Sequence, residues 1–489
     1  MTMKALAAIL NKRGKNAVNM LVSMLNVLGR TGTDTFCIAT QDDITLNSSL
    51  EKLSIQGIKS STALGHVFLK VVAADKPKLL QFGKSAFVFD GRVYSPATEN
   101  LETVLAQKFQ AGNVLTAAET LIKEFDGCFA FAMVENGKLV AGRDALGTYP
   151  LYYGENSDFF AVASECKALR KIGITRAKSF PPGHVLITDK QSFKIKRVKT
   201  PSNPVKSMSV EEAVDKVHRL LLQSTAERTA CLDKVAVAFS GGLDSSLTAF
   251  LIQKTGIDVH LIHVSLESQI ETSQAEEVAR LLDLPFNKFL YSVEEVERDL
   301  PKILWCVESP DPLQVSIGIP VFWAAEKAAE LGFGVLFAGQ GADELFGGYR
   351  RYLTLYTRFG EDFAEKAIIS DILKMYENNF ERDFKVCNYH NIELRLPFAS
   401  YPLVELAMGL PLNLKIVSKS DMLRKFVLRK TAEKLGLPKQ IICKPKKAIQ
   451  YATGVDKTLK KLAKKHSLSL KRYLVKIFKE SFGKTLGGG

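Results

Sequence analysis

Lys234-Val235-Ala236-Val237-Ala238-Phe239-Ser240-Gly241-Gly242-Leu243-Asp244-Ser245-Ser246 decides the reading of this chain. The apolar run at its start reads as a buried strand. Two glycines then mark a tight turn, and an apolar helix follows to about residue 254. Backbone N–H groups at such a helix start face outward and attract anions. Glycine lets the backbone approach a phosphate with no Cβ in the way. Ser240, Ser245 and Ser246 add hydroxyl donors. Asp244 would repel bare phosphate, so its presence implies a Mg²⁺ between the two. The loop carries no lysine, which excludes the G-x-x-x-x-G-K-S/T phosphate loop.

Working outward, Asp258–Val264 reads as a second strand with a helix after it at about 273–283, and Gly334–Ala338 as a third strand. Strands alternating with helices predict an α/β domain on a parallel sheet with helices on both faces. The third strand runs into Gly339-Gln340-Gly341-Ala342-Asp343-Glu344. This glycine-rich segment therefore falls at the carboxyl edge of the same sheet, where open α/β sheets bind ligands. Asp343 can supply a second carboxylate for Mg²⁺, opposite Asp244. From about residue 350 the chain reads as mainly helical.

The first ~200 residues differ in character. Ala86–Phe89 is a short apolar segment ending at a predicted turn, Asp90-Gly91. Cys128–Val134 and Lys138–Gly142 flank Glu135-Asn136-Gly137, a strong hairpin signal. Helical patterning covers about 14–28 and 99–109, and a loop at about 199–208 reads as a linker. Two domains are expected, 1–200 and 208–489.

Composition bounds the function. The chain has 489 residues, 46% hydrophobic and 24% charged, the balance of a globular protein rather than a disordered or fibrous one. No apolar run has the roughly 18–20 residues of a membrane span. Lys and Arg outnumber Asp and Glu by 66 to 52, and residues 439–489 hold fourteen of these cations against two acids. Without a zinc-finger or RNA-binding signature, that charge does not establish a nucleic-acid partner. The seven cysteines are widely spaced with no C-x-x-C pair, and no secretion signal precedes them. They read as reduced thiols in a cytoplasmic protein.

The two glycine-rich clusters together closely resemble the asparagine synthetase family, within a superfamily that cleaves ATP between the α and β phosphates. Further segments extend the resemblance: Ser309-Pro310-Asp311-Pro312, Glu381-Arg382-Asp383, Glu393-Leu394-Arg395-Leu396-Pro397-Phe398, Lys425–Arg429 and Lys444-Pro445-Lys446-Lys447. It implies an ATP-pyrophosphatase fold (adenine nucleotide alpha hydrolase-like) with a helical C-terminal part. It implies ATP and Mg²⁺ as cofactors. Ser240, Gly241, Gly242, Asp244, Ser245, Ser246 and Gly339 would contact the nucleotide, and Ala238 and Val264 would lie at the adenine. Asp244 and Asp343 would hold the metal. Lys446 matches the lysine that faces pyrophosphate and the acyl-adenylate, where a fixed cation stabilises developing charge. Gln340 replaces a carboxylate that deprotonates the attacking nitrogen, and an amide cannot act as a general base.

The first ~190 residues resemble the glutaminase domain that precedes this synthetase, on Arg143-Asp144-Ala145-Leu146-Gly147-Thr148-Tyr149-Pro150-Leu151-Tyr152-Tyr153 and on Ala163–Leu169. That implies an α+β N-terminal-nucleophile-like sandwich. The resemblance also shows what is lost. The nucleophilic Cys after the initiator Met is absent: Thr2 follows Met1, and Lys4-Ala5 matches the family's Cys-Gly. Asp90 stands for the asparagine of the oxyanion hole, Phe68 for the arginine clamp, and Pro96-Ala97-Thr98-Glu99 lacks the expected Asp. Thr2 would be a nucleophile only through its own amine.

The leading expectation is an ATP-dependent amide-forming ligase that adenylates aspartate, releases pyrophosphate and transfers ammonia without using glutamine. A lactam-forming or other amide synthetase of the same superfamily is the alternative. A nucleotide-binding scaffold and a transfer-RNA-modifying enzyme are weaker ones. A homodimer is possible by resemblance.

Overall fold

The computed structural model describes residues 4–29, 32–96, 103–105, 107, 113–202, 204 and 207–486. The chain divides into two compact units, Met1–Thr200 and Pro201–Gly489.

The first unit is built from two antiparallel sheets. One runs in the order Lys178–Ser179, Tyr152–Glu155, Phe159–Ala163, Ala5–Asn11, Thr62–Phe68, Thr35–Ala39, Ile44–Asn47. The other runs Phe193–Arg197, His184–Thr188, Lys138–Arg143, Asp126–Glu135, Ser85–Ser95, Lys78–Phe82. Side chains alternate along each strand. In the first sheet Ala5, Ala7 and Ile9 pack with the helix Val18–Leu28 and the helix Cys166–Lys171. In the second, Phe87, Phe89, Phe129 and Phe131 pack with the helix Val114–Glu124. Strands of the two sheets also contact each other, which gives the expected α+β sandwich.

The predicted hairpin is present. Asn136 and Gly137 both take positive φ (49° and 72°), the conformation a two-residue hairpin turn requires. The turn predicted at Asp90-Gly91 is not. Ser85–Ser95 runs straight through it, paired to Asp126–Glu135 along its length. Gly91 is there for close approach: a Cβ at its φ of +115° would meet the carbonyl oxygen of Cys128 at 2.1 Å. The first helix begins at Val18, later than its pattern suggests. The helix expected at 99–109 lies largely outside the described residues, as do Thr2 and Ala97–Glu99, and part of the 199–208 linker does too.

The second unit holds a five-stranded parallel sheet. Its strands are β1 (Lys234–Ala238), β2 (Asp258–Leu266), β3 (Phe286–Tyr291), β4 (Val335–Phe337) and β5 (Glu393–Arg395). The spatial order is β3-β2-β1-β4-β5. Sequential strands step one way to β3, and the chain then returns to the other side of β1. The order therefore reverses between β1 and β4, and a crevice opens at their carboxyl ends. The loops leaving those two strands are the two glycine-rich clusters. β3 and β5 carry no alternating or long apolar run and escape a periodicity reading. Beyond residue 350 the unit is mainly helical, as expected, apart from β5. Among the described residues no helix is long and apolar enough to cross a membrane.

Candidate active site

β1 ends at Ala238, and Gly242 caps the helix Leu243–Gln253. Gly241 turns the chain at φ +66°, and a Cβ there would stand 2.7 Å from the Cα of Ala275. The loop is pre-shaped by its own hydroxyls. Ser240 N donates to Ser245 Oγ (3.3 Å), Gly242 N donates to Ser240 Oγ (3.3 Å), and the two hydroxyls stand 3.2 Å apart. Ser246 is fully buried and its Oγ has no hydrogen-bond partner.

The second cluster meets the first across the β1–β4 reversal. Gly339 lies directly on Asp244: a Cβ there would sit 2.9 Å from that residue's backbone carbonyl carbon. Asp343 opens a short helix after Gly341, which takes φ +96°. Its carboxylate and that of Asp244 converge on one point, the Nζ of Lys425. That ammonium stands 2.6 and 2.7 Å from the two oxygens of Asp244 and 2.6 Å from Oδ1 of Asp343. Lys446 closes the group from the other side, 2.5 Å from Oδ2 of Asp343 and 3.6 Å from Oδ2 of Asp244. Two anions and two cations thus alternate in space.

The electrostatics follow from that packing. Burial pushes the Asp343 carboxyl up, but the two lysines outweigh it and hold it well below the usual carboxylate range. Burial likewise pulls the Lys446 ammonium down, and Asp343 and Asp244 more than reverse this. Glu344 faces away. Burial, with Asp343 beside it, raises its pKa, while Tyr349 Oη and Asn379 Nδ2 donate to its carboxylate at 2.5 and 2.6 Å.

Ser240, Gly242, Asp244, Lys425, Lys444 and Lys446 line one cleft beside the loop. Lys444 Nζ donates to the carbonyl of Gly241 (3.0 Å), and Arg429 donates to the carbonyls of Leu423, Arg424, Ile442 and Lys444. One buried guanidinium therefore ties the segment carrying Lys425 to the loop carrying Lys446. Ala238 and Val264 lie outside the cleft lining, near the carboxyl ends of adjacent strands. Gln340 also lies outside it and donates its Nε2 to Oδ2 of Asp383 (2.5 Å).

Lys425 reaches the site from far along the chain. Its position 181 residues after Asp244 offers no local signal. Both it and Arg424 take left-handed φ (56° and 54°), an uncommon pair of conformations that the sequence gives no cue to.

In the first unit the residues matched to a glutaminase centre form a closed network. Lys4 is fully buried, and its backbone N–H donates to Oδ2 of Asp90 (3.2 Å). Tyr149 Oη donates to the same oxygen (2.5 Å), and His66 Nε2 stands 3.4 Å from Oδ1. Burial pulls the His66 imidazole down, but Asp90 beside it, with a smaller contribution from Cys37, raises it to about 9. Phe68 is buried edge-on to His66. Asp144 accepts from the N–H groups of Leu146, Thr148 and Tyr149, so the Arg143–Tyr153 segment is held as a turn by its own aspartate.

Comparison with known proteins identifies two matching families. The asparagine synthase family matches residues 216–362 and 357–482, and a glutamine amidotransferase domain family matches 68–171. The chain is 34% identical over 402 residues to "Putative asparagine synthetase (glutamine-hydrolyzing) 1" of Methanocaldococcus jannaschii, covering 72% of this chain and 74% of the relative. It is 29% identical over 362 residues to an asparagine synthetase (glutamine-hydrolyzing) of Sandersonia aurantiaca, covering 69% and 66%. Among solved structures, a glutamine phosphoribosylpyrophosphate amidotransferase from B. subtilis aligns at 15% identity over 60% of this chain and 92% of that one. Its TM-score of 0.37 is too low to bear on the fold.

Proposed function

The chain belongs to the asparagine synthase family of ATP-dependent carbon–nitrogen ligases, and from that premise we propose that it adenylates aspartate and passes the acyl group to ammonia. The observation that carries this reading is the convergence of Asp244, Asp343, Lys425 and Lys446 over the loop Ser240–Ser246. The loop N–H groups and hydroxyls would seat the phosphates. Lys446, at the cleft surface, would meet the charge that develops on the α-phosphate and on departing pyrophosphate. Lys425, buried beneath it, would hold the two carboxylates in register.

The residues present fit Mg²⁺. Asp244 and Asp343 bring two hard carboxylates side by side around the ammonium groups of Lys425 and Lys446, and among the described residues no three His, Cys, Asp or Glu side chains form a metal cluster. Asp244 and Asp343 would therefore hold an ion whose remaining ligands are phosphate oxygens and water. When bound, it would neutralise phosphate charge and favour departure of pyrophosphate.

The first unit supports ammonia over glutamine as nitrogen donor. The position matched to the nucleophile is Lys4, buried, and Asp90 is spent on the Lys4 amide, Tyr149 and His66. A carboxylate facing a developing oxyanion would oppose it.

The test is pyrophosphate release from ATP and Mg²⁺ with aspartate plus ammonium against aspartate plus glutamine, with Lys446→Ala as control. Turnover with ammonium alone is expected. Turnover with glutamine would overturn the nitrogen donor, and silence with both would overturn aspartate.

A further inference from the structure

An amide forms from ammonia only if the attacking nitrogen sheds a proton, and a glutamine at position 340 cannot accept one. Gln340 instead uses its amide to hold a carboxylate. Its Nε2 donates to Oδ2 of Asp383 at 2.5 Å, while Nε of Arg382 donates to Oδ1 at 2.7 Å. Asp383 is buried on the helix Glu381–Tyr389, and Gln340 follows Gly339, the residue that rests on Asp244. The carboxylate is thus fixed one side chain away from the loop that carries Asp343.

Arg382 supplies an independent observation. Its Nε holds Asp383, and its Nη1 donates to Gln314 Oε1 (3.1 Å) and to the carbonyl of Asn378 (2.7 Å). Its Nη2 is buried and has no acceptor, although the residue is 2% exposed. Buried donors are nearly always paired, and an unpaired one beside a fixed carboxylate marks a place for a ligand oxygen.

We propose that Asp383 is the proton acceptor of the amide-forming step, with Gln340 as its positioning residue and Arg382 Nη2 as a donor to an oxygen of the acceptor substrate. This rests on the acyl-adenylate reading given above. In the step, the nitrogen lone pair forms the C–N bond at the acyl carbon. The nitrogen gives one proton to Asp383. The C–O bond to the α-phosphate breaks, and AMP leaves with the electron pair.

The experiment separates the two half-reactions in the full-length chain. Aspartate-dependent exchange of radiolabelled pyrophosphate into ATP reports adenylation, and asparagine formed with ammonium reports the amide step. Asp383→Asn is expected to keep exchange within about threefold of wild type and to lose amide formation by roughly 100-fold or more. Asp383→Glu should recover part of it. Gln340→Ala leaves the Asp383–Arg382 pair in place and is expected to lower the amide step about tenfold with exchange intact. It decides the matter if Asp383→Asn does not fold. Equal losses in both half-reactions, or none in either, would overturn the inference and leave the parent reading standing. Wild-type protein without aspartate-dependent exchange would overturn the parent reading and this inference with it.

Discussion

Replacing Lys425 by methionine removes the buried charge on which the two carboxylates converge. The ammonium is 2% exposed, and the carboxylates of Asp244 and Asp343 are 15% and 12% exposed. Breaking a buried ion pair from one side costs about 3–5 kcal/mol, because the remaining charge has no partner. Lys446 still serves Asp343 at 2.5 Å but stands 3.6 Å from Asp244. The loss therefore falls mainly on Asp244, and the lower figure, about 3 kcal/mol, applies. For a unit of this size each kcal/mol moves the melting temperature by about 2 °C, so the second unit should melt roughly 6 °C lower. The assay is thermal unfolding by calorimetry at low and high salt. Lys425→Met/Asp244→Asn should regain more than half of the loss, because neutralising the stranded carboxylate removes the cause. A double variant no more stable than Lys425→Met would refute the account of Lys425 as the counter-charge.

Other consequences are open to measurement. Lys446→Ala should lower pyrophosphate release by about 10²–10³-fold, the cost of losing one electrostatic contact to developing charge, with little change in melting. Gly348→Ala should reduce activity at least about tenfold, because its Cβ would stand 2.0 Å from Asp343 Oδ1 and 2.2 Å from Lys425 Cε. Folding raises the His66 pKa from 6.5 to about 9. Its contribution to the first unit is fully present below pH 6.5 and is lost as pH rises through about 9, a span of about 3 kcal/mol. Calorimetric melting between pH 6 and 10 should show this fall in wild type and lose it in His66→Asn.

The site was partly legible in the sequence. The loop Ser240–Ser246 announces itself because strand, glycines and hydroxyls are contiguous and each has a local physical reason. Asp343 follows for the same cause. Lys425 does not, because its role is created by a contact spanning 181 residues. The Asp383 pairing is equally non-local: a side chain 43 positions on takes up the amide of Gln340. In the fold, the Asn136-Gly137 hairpin is set by turn chemistry and was foreseen. Asp90-Gly91 carries the same kind of dipeptide, yet there glycine answers to a neighbouring strand's backbone. β3, interrupted by Asn287 and Lys288, and the three-residue β5 take their place by pairing rather than by pattern.

The alternating charges of the site also have a history in time. Asp244 and Asp343 leave the ribosome before either lysine that neutralises them, and 82 residues separate Asp343 from Lys425. At about 5–20 residues per second, Asp343 is made roughly 4–16 s before Lys425, and Asp244 roughly 9–36 s before it. Through that interval the phosphate-loop segment exists without the two lysines that face its aspartate. The charge pattern of the site is therefore complete only once the segment Arg424–Lys447 has been made.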